Sequence, residues 1–258
     1  MSATPRIFID TPLVPGQSVE LDEAQSHYIS RVMRLNLNDN VRVFNGQDGE
    51  FLAKITAVSK RAVALTPETC TRAQTSGPDL WLAFAPLKKA KTDLVIEKAV
   101  ELGVKKIVPV QTERCQAQAI RLERFERIVI EASEQTERLD IPEIGAPASL
   151  DDFVADWESN RLLMFCDESG DDSALPWGGE SGRARAIAEE LSNCTEKAAC
   201  VLIGPEGGFT PAERKLLRSL AFVLPVSLGP RILRAETAAI TALAVWQAIL
   251  GDWTERSR

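Results

Sequence analysis

The stretch from Ala199 to Leu220, ACVLIGPEGGFTPAERKLLRSL, decides the fold of this chain. Its opening residues CVLI form a continuous apolar run without polar alternation, as expected of a strand covered on both faces in a parallel sheet. GPEGG then breaks the run. Thr210, Pro211 and Glu213 spell a T-x-x-E capping box with proline at the first helical position, so a helix is expected to start there. A glycine loop between a buried strand and a helix N-terminus lies at the carboxyl edge of an open α/β sheet, where such sheets bind ligands. The glycines serve either a tight turn or the close approach of a flat ligand to main-chain amides. The loop fits neither GxxxxGK[ST] nor GxGxxG with an acidic residue about 20 positions on, so nucleoside-triphosphate hydrolysis and dinucleotide binding lose support.

A second segment repeats the same order. FVLPVSLGPRILRAETAAITALAVWQAIL, from Phe222, reads as an apolar strand, a Gly-Pro break and a long helix rich in Ala and Leu. Arg231 and Arg234 stand on either side of Ile232 and Leu233, next to the break. Basic groups near a helix N-terminus oppose its dipole, so this pair is either surface charge or the partner of an anion.

Up to about Leu65 the chain reads as short strands, RIFI, VRVFN, FLAKITAVS and RAVALT, with one helical stretch, DEAQSHYISRVMRL. NGQDGE, Asn45 to Glu50, signals a hairpin. PETCTRAQTSGP, from Pro67 to Pro78, has the composition of a linker, which divides the chain into a β-rich module over residues 1–72 and a second domain over 73–258. Beyond it LWLAFAP, KTDLVIEKAVELG, KKIVPVQ and the helix around RLERFERIVIEASEQ alternate, followed later by LLMFC. Such alternation predicts an α/β fold, a parallel sheet flanked by helices. DDFVADWES and DESGDD make the middle acidic and read as a solvated face, and GGESGRARAIAEEL as a loop and a helix.

Composition narrows the chemistry. The 258 residues are 45% apolar and 26% charged, enough for a buried core. The longest apolar runs, such as AAITALAVWQAILG, fall short of the roughly 20 residues a membrane span needs. No export signal opens the chain, so a cytoplasmic location is expected. Cys70, Cys115, Cys166, Cys194 and Cys200 form no CxxC pair, which argues against a disulfide framework or a thiolate zinc site. With His27 the single histidine, a histidine metal site and a Ser-His-Asp triad are disfavoured, and no metal is expected. Chemistry must then run on carboxylates, arginines, backbone dipoles or a cofactor. The net charge of −7 shows no overall basic character, yet residues 1–72 hold eight Lys or Arg against eight Asp or Glu, which leaves room for a local basic patch. The tryptophans, Trp81, Trp157, Trp177, Trp246 and Trp253, are too dispersed to suggest a base-stacking platform.

Taken together, IGPEGGFTPAE and LGPRILRAETAAITAL strongly resemble the trefoil-knotted SPOUT methyltransferases, in particular the RsmE branch that methylates N3 of a uridine in small-subunit ribosomal RNA. HYISRVMRL from His27, KTDLVIEKAVELGV from Lys91, TERC at Thr112 and EQTERLDIPEI from Glu134 extend the resemblance over nearly the whole chain. It implies a small PUA-like β-barrel followed by an α/β domain with a deep C-terminal trefoil knot, a homodimer, and S-adenosyl-L-methionine as cofactor. The cofactor would be wrapped by Leu202, Ile203, Gly204, Pro205, Glu206, Gly207 and Gly208, and by Leu228, Gly229, Ile232, Leu233 and Arg234, with Thr237 close by. Arg234 or Arg231 would favour the deprotonated uracil ring, and Glu206 and Glu236 are the carboxylates placed to accept its proton. RNA contact would come from Arg31 and Arg34, one helical turn apart, and from Lys88, Lys89, Lys91, Arg114 and Arg138, with Arg6 a weaker candidate. One departure stands out: family members commonly carry Gly before the arginine at 138, whereas this chain carries Glu137. The rival readings are a SPOUT methyltransferase acting on another RNA and a non-catalytic RNA-binding relative.

Overall fold

The computed structural model describes residues 4–59, 62–116, 120–158, 160–167 and 184–254, and the side chains of Lys89 and Thr254 stand outside the description. DESGDD beyond Asp167 and Trp177 therefore lie outside the described residues. Two compact units are present, one comprising residues 1–76 with 130–141, the other 77–129 with 142–258. A single cut near residue 72 does not foresee the return of 130–141 to the N-terminal strands.

The N-terminal unit is a curled sheet of β1 (Arg6–Phe8), β2 (Val19–Glu20), β3 (Asn40–Phe44), β4 (Glu50–Val58) and β5 (Val63–Arg72), in the order β1-β3-β4-β5-β2. β3 and β4 pair antiparallel across the Asn45 to Glu50 turn, the hairpin the sequence signals. Asn45 Oδ1 accepts from the amides of Gln47 and Asp48, a side chain fastening its own turn. Ile7, Ile29, Val41, Ile55 and Leu65 fill the core. β5 runs on to Arg72 through Pro67, which sits opposite Ala53 beside a register shift, so half of the expected linker is strand. Its outer residues are polar because that end is exposed.

Between β2 and β3, α1 (Glu23–His27), capped by Asp22, passes into a π-helical turn over Tyr28–Val32. Arg34 lies past that turn at φ 55°, so Arg31 and Arg34 are both exposed but do not share the face of a regular helix.

A buried charge network ties residues 130–141 into this unit. Glu50, 1% exposed, receives Arg6 Nε at 2.7 Å, while Arg42 and Arg72 stand 3.8 and 3.9 Å away. Arg6 also donates to the carbonyls of Ser133 and Arg138, and its guanidinium stacks 3.6 Å from the Phe44 ring centre. Arg6 is thus spent inside the fold and offers nothing to RNA. Glu137, at φ 59°, occupies the left-handed conformation that favours glycine. Its carboxylate bonds Arg42 at 2.9 Å, and that hydrogen bond holds it below the usual carboxylate range.

The second unit is a mostly buried sheet in the order β11-β13-β10-β12-β6-β7-β8, with β9 on β7, and every pairing among the described residues is parallel. The strands are β6 (Leu80–Phe84), β7 (Lys106–Gln111), β8 (Glu143–Ile144), β9 (Ala148–Ser149), β10 (Leu162–Cys166), β11 (Arg185–Ala186), β12 (Ala199–Ile203) and β13 (Val223–Ser227). The helices are α2 (Lys89–Glu101), α3 (Leu122–Gln135), α4 (Leu150–Ala155), α5 (Ile187–Ser192), α6 (Pro211–Ser219) and α7 (Ala235–Ile249). α3 carries the chain out of this unit, its second half belonging with the N-terminal strands. Every residue of β12 is buried, as its unbroken apolar run requires. Burial pushes the Cys200 thiol on this strand up to about 12, leaving it protonated and inert. The chain leaves β12, returns as β13 beyond β10, and sends α7 back against α2, α5 and β12. No helix among the described residues is long and apolar enough to cross a membrane.

Replacing Glu50 by alanine removes the buried carboxylate that pairs with Arg6 and that Arg42 and Arg72 approach. Leaving a buried cation unpaired costs about 3–5 kcal/mol. Urea unfolding of E50A, followed by near-ultraviolet circular dichroism, should show a loss on that scale; a change below about 1 kcal/mol would contradict the assignment. The Arg42–Glu137 pair, half exposed, adds a smaller share. Because Glu137 titrates low when folded, that share is present at neutral pH and is lost as pH falls through and below the ordinary carboxylate range.

Candidate active site

The site is built where the carboxyl ends of β6, β7, β12 and β13 open into loops. Ala85 N donates to Ile203 O at 2.9 Å, so the chain segments leaving β6 and β12 depart from one edge together. Leu202 and Ile203 keep their side chains in the core. From Gly204 the backbone turns outward and Gly208 N closes onto Pro205 O at 2.9 Å.

The glycines here have separate reasons. A Cβ on Gly204 would lie 2.6 Å from the Phe209 ring, which is itself packed edge-on against Phe165 beneath the loop. Gly208 holds φ 65°, which a side chain rarely adopts, and nothing fills the space beside it. Among the glycines of this loop, only Gly208 leaves open space beside the main chain. The expected capping box is present: Thr210 Oγ1 accepts from Glu213 N at 3.3 Å and Glu213 Oε2 accepts from Thr210 N at 2.7 Å. The other oxygen of Glu213 accepts from Glu113 N at 2.8 Å, so the same carboxylate fastens the loop after β7.

Arg114, expected to meet RNA, is exposed and donates to Gly207 O at 3.0 Å and Phe209 O at 3.3 Å. Its guanidinium braces the glycine loop from outside. Lys91 is similarly engaged. Its ammonium lies 3.4 Å from Glu206 in the first segment and 3.4 Å from Glu236 in the first turn of α7. These two contacts bring the segments beginning at Ile203 and Leu228 to one point. Lys88, at the α2 N-cap position, is exposed; its carbonyl accepts from Lys91 N at 2.8 Å. Thr92 Oγ1 bonds the Leu87 amide at 2.9 Å and so fixes the loop ahead of α2.

In the second segment Ser227 Oγ accepts from Gly229 N at 3.3 Å, and Gly229 holds φ 116°. Leu228 and Leu233 are half-buried. Arg231 and Thr237 are exposed, as is Arg234 at the N-cap position of α7, and neither arginine has an ion-pair partner among the described residues. Ile232 is 91% exposed, so its side chain lines no part of the pocket within this chain. An open cleft of about 470 Å³ beside this segment is lined by Arg185, Ala186, Glu189, Ser227, Gly229 and Pro230.

Arg31, Arg34 and Arg138 belong to the other unit. Arg138 does not join an RNA-facing set: its side chain is 10% exposed and bonds Asp140 through two nitrogens, at 2.7 and 3.1 Å. Among the described residues no group of three or more His, Cys, Asp or Glu is placed to hold a metal ion. None of the five cysteines forms a disulfide.

Comparison with known proteins places this arrangement. Residues 75–247 match the family model described as an RNA methyltransferase domain, and residues 21–68 match the RNA methyltransferase PUA domain. The ribosomal RNA small subunit methyltransferase E of Rickettsia conorii is 38% identical over 240 residues, covering 93% of each chain. Its counterpart from Synechocystis is 34% identical and covers 95% of this chain and 78% of its own. Among solved structures, a Legionella pneumophila methyltransferase in complex with the cofactor SAM superposes with a TM-score of 0.81 at 34% identity, covering 96% of this chain and 99% of its own. The Neisseria gonorrhoeae ribosomal RNA small subunit methyltransferase E bound to S-adenosyl methionine gives 0.82 at 25% identity, with 97% and 99% covered. The paired glycine segments, the parallel sheet and the curled N-terminal sheet therefore have one source: the chain belongs to the ribosomal RNA small subunit methyltransferase E family of RNA methyltransferases.

Proposed function

We propose that this protein transfers a methyl group from S-adenosyl-L-methionine to N3 of a uridine in small-subunit ribosomal RNA. The observation that carries the reading is the meeting of the two glycine segments at Lys91, on a chain 38% identical across 93% of its length to an enzyme of that name. The residues present fit the cofactor. Gly208 leaves main chain bare for a flat adenine, and the second segment supplies the facing wall. When bound, the cofactor contributes a sulfonium-activated methyl group.

The protein's part is to hold and to polarise. A wall braced by Arg114 and by Glu213 fixes the line along which the uridine nitrogen must approach, and positioning of this kind contributes as much as roughly 7–11 kcal/mol in well-oriented systems. Uridine N3 is a weakly acidic imide whose proton must leave. Arg234 and Arg231, exposed and without an ion-pair partner among the described residues, are free to face the uracil oxygens and favour the deprotonated ring. Glu206, 42% exposed on its side chain, is the carboxylate open to a proton from the substrate.

RNA is met first by Arg31 and Arg34, exposed in the N-terminal unit beside exposed Tyr28 and Val32, and by Lys88. The 91% exposure of Ile232 supports a homodimer in which a second copy covers this segment. The return of α7 to α2, α5 and β12 is the path a threaded, knotted C-terminal segment takes. Such an enzyme works where ribosomal subunits are made, in the cytoplasm.

The first test is mass spectrometry of small-subunit ribosomal RNA from cells lacking the protein: N3-methyluridine should disappear, and its retention would refute the reading. R234A, folded as judged by its melting temperature, should lose about 100-fold in kcat, the order seen when a transition-state donor is removed; a wild-type rate would reject that role. Replacing both Arg31 and Arg34 by alanine should flatten the plot of log affinity against log salt by about 1.4 for single-stranded RNA. An unchanged slope would show that neither arginine meets a phosphate.

A further inference from the structure

Lys91, Glu206 and Glu236 form an unbalanced cluster, one ammonium facing two carboxylates at 3.4 Å each. The two carboxylates differ. Glu206 is open to solvent, whereas the Glu236 side chain is 13% exposed and its Oε2 is buried without any hydrogen-bond partner in the described protein. Only Oε1 of Glu236 is engaged by Lys91. A buried carboxylate oxygen that accepts nothing is unfavourable and calls for a partner. A positively charged group of a ligand seated between the two glycine segments would satisfy it.

We propose that Glu236 Oε2 receives a positive charge of S-adenosyl-L-methionine, with Lys91 the positioning residue that holds the carboxylate toward it. This rests on the reading that the two segments bind that cofactor. The cofactor carries two positive charges, a sulfonium and an α-ammonium, and the product S-adenosylhomocysteine keeps only the second. Glu236 therefore contributes either to holding the amino-acid end or to telling cofactor from product.

Isothermal titration of the full-length protein separates these outcomes. Glu236→Gln keeps the shape and an acceptor oxygen but removes the charge, and it should weaken S-adenosylmethionine at least tenfold with the melting temperature unchanged. An equal loss for S-adenosylhomocysteine assigns the carboxylate to the α-ammonium, and a loss confined to S-adenosylmethionine assigns it to the sulfonium. Glu236→Asp, which keeps the charge on a shorter stem, should fall between and serves if the glutamine variant does not fold. Lys91→Ala should weaken cofactor binding and Lys91→Arg should restore it. Unchanged affinity in a folded Glu236→Gln protein overturns the proposal, and unchanged affinity in Lys91→Ala overturns the positioning role. If the wild-type protein binds no S-adenosylmethionine at all, the underlying functional reading fails instead.

Discussion

The parallel pairing of β12 with β6 is the constraint on which the site depends. Cys200 to Ile203 are buried on both faces, so the chain can neither bend nor expose polar groups until it reaches the carboxyl edge. There the Ala85 amide takes the last carbonyl of β12, and both chain segments leave at one place. Everything chemically useful follows from that shared exit. α2 brings Lys91, the glycine loop brings Glu206, and α7 returns with Glu236 to meet them. A cross-strand hydrogen bond thus does for the site what a long run of specific side-chain contacts would otherwise have to do.

How much of this could be read from the chain depended on the range of each interaction. The Thr210 capping box, the buried strand before it and the Asn45 turn involve residues a few positions apart, and periodicity reveals them. The roles of Arg114 and Lys91 were hidden, because their partners stand about a hundred residues away or more: Gly207 for one, Glu206 and Glu236 for the other. A lone basic residue in a sequence looks available for phosphate until its carboxylate or carbonyl partner is located. Arg138, expected to contact RNA, is held by Asp140 only two positions on, a pairing that the sequence alone does not single out. Strand β5 was cut short at Pro67 because proline and alternating polar residues mimic a linker; an exposed strand end beside a bulge tolerates both.

The same contrast runs through the charges of the two units. In the N-terminal sheet, Glu50 sits among three arginines, which makes that cluster electropositive and self-contained. At the C-terminal site two carboxylates meet one lysine, which makes that cluster electronegative and incomplete. The first arrangement satisfies its buried carboxylate from within, through Arg6 and Thr71. The second leaves a buried oxygen unanswered. Folding accounts for the first, and the second fits the ligand role inferred above for Glu236.

Arg6 reaches the carbonyls of Ser133, Glu134 and Arg138, main chain that lies far along the sequence from the strands it helps to hold. The β-rich module is consequently not a bead on a string. A gene encoding only its first 76 residues would omit the strip of backbone that caps its arginine, and a gene encoding only the remainder would carry that strip with nothing to cap. To move such a module whole, two separate stretches of the chain must travel together.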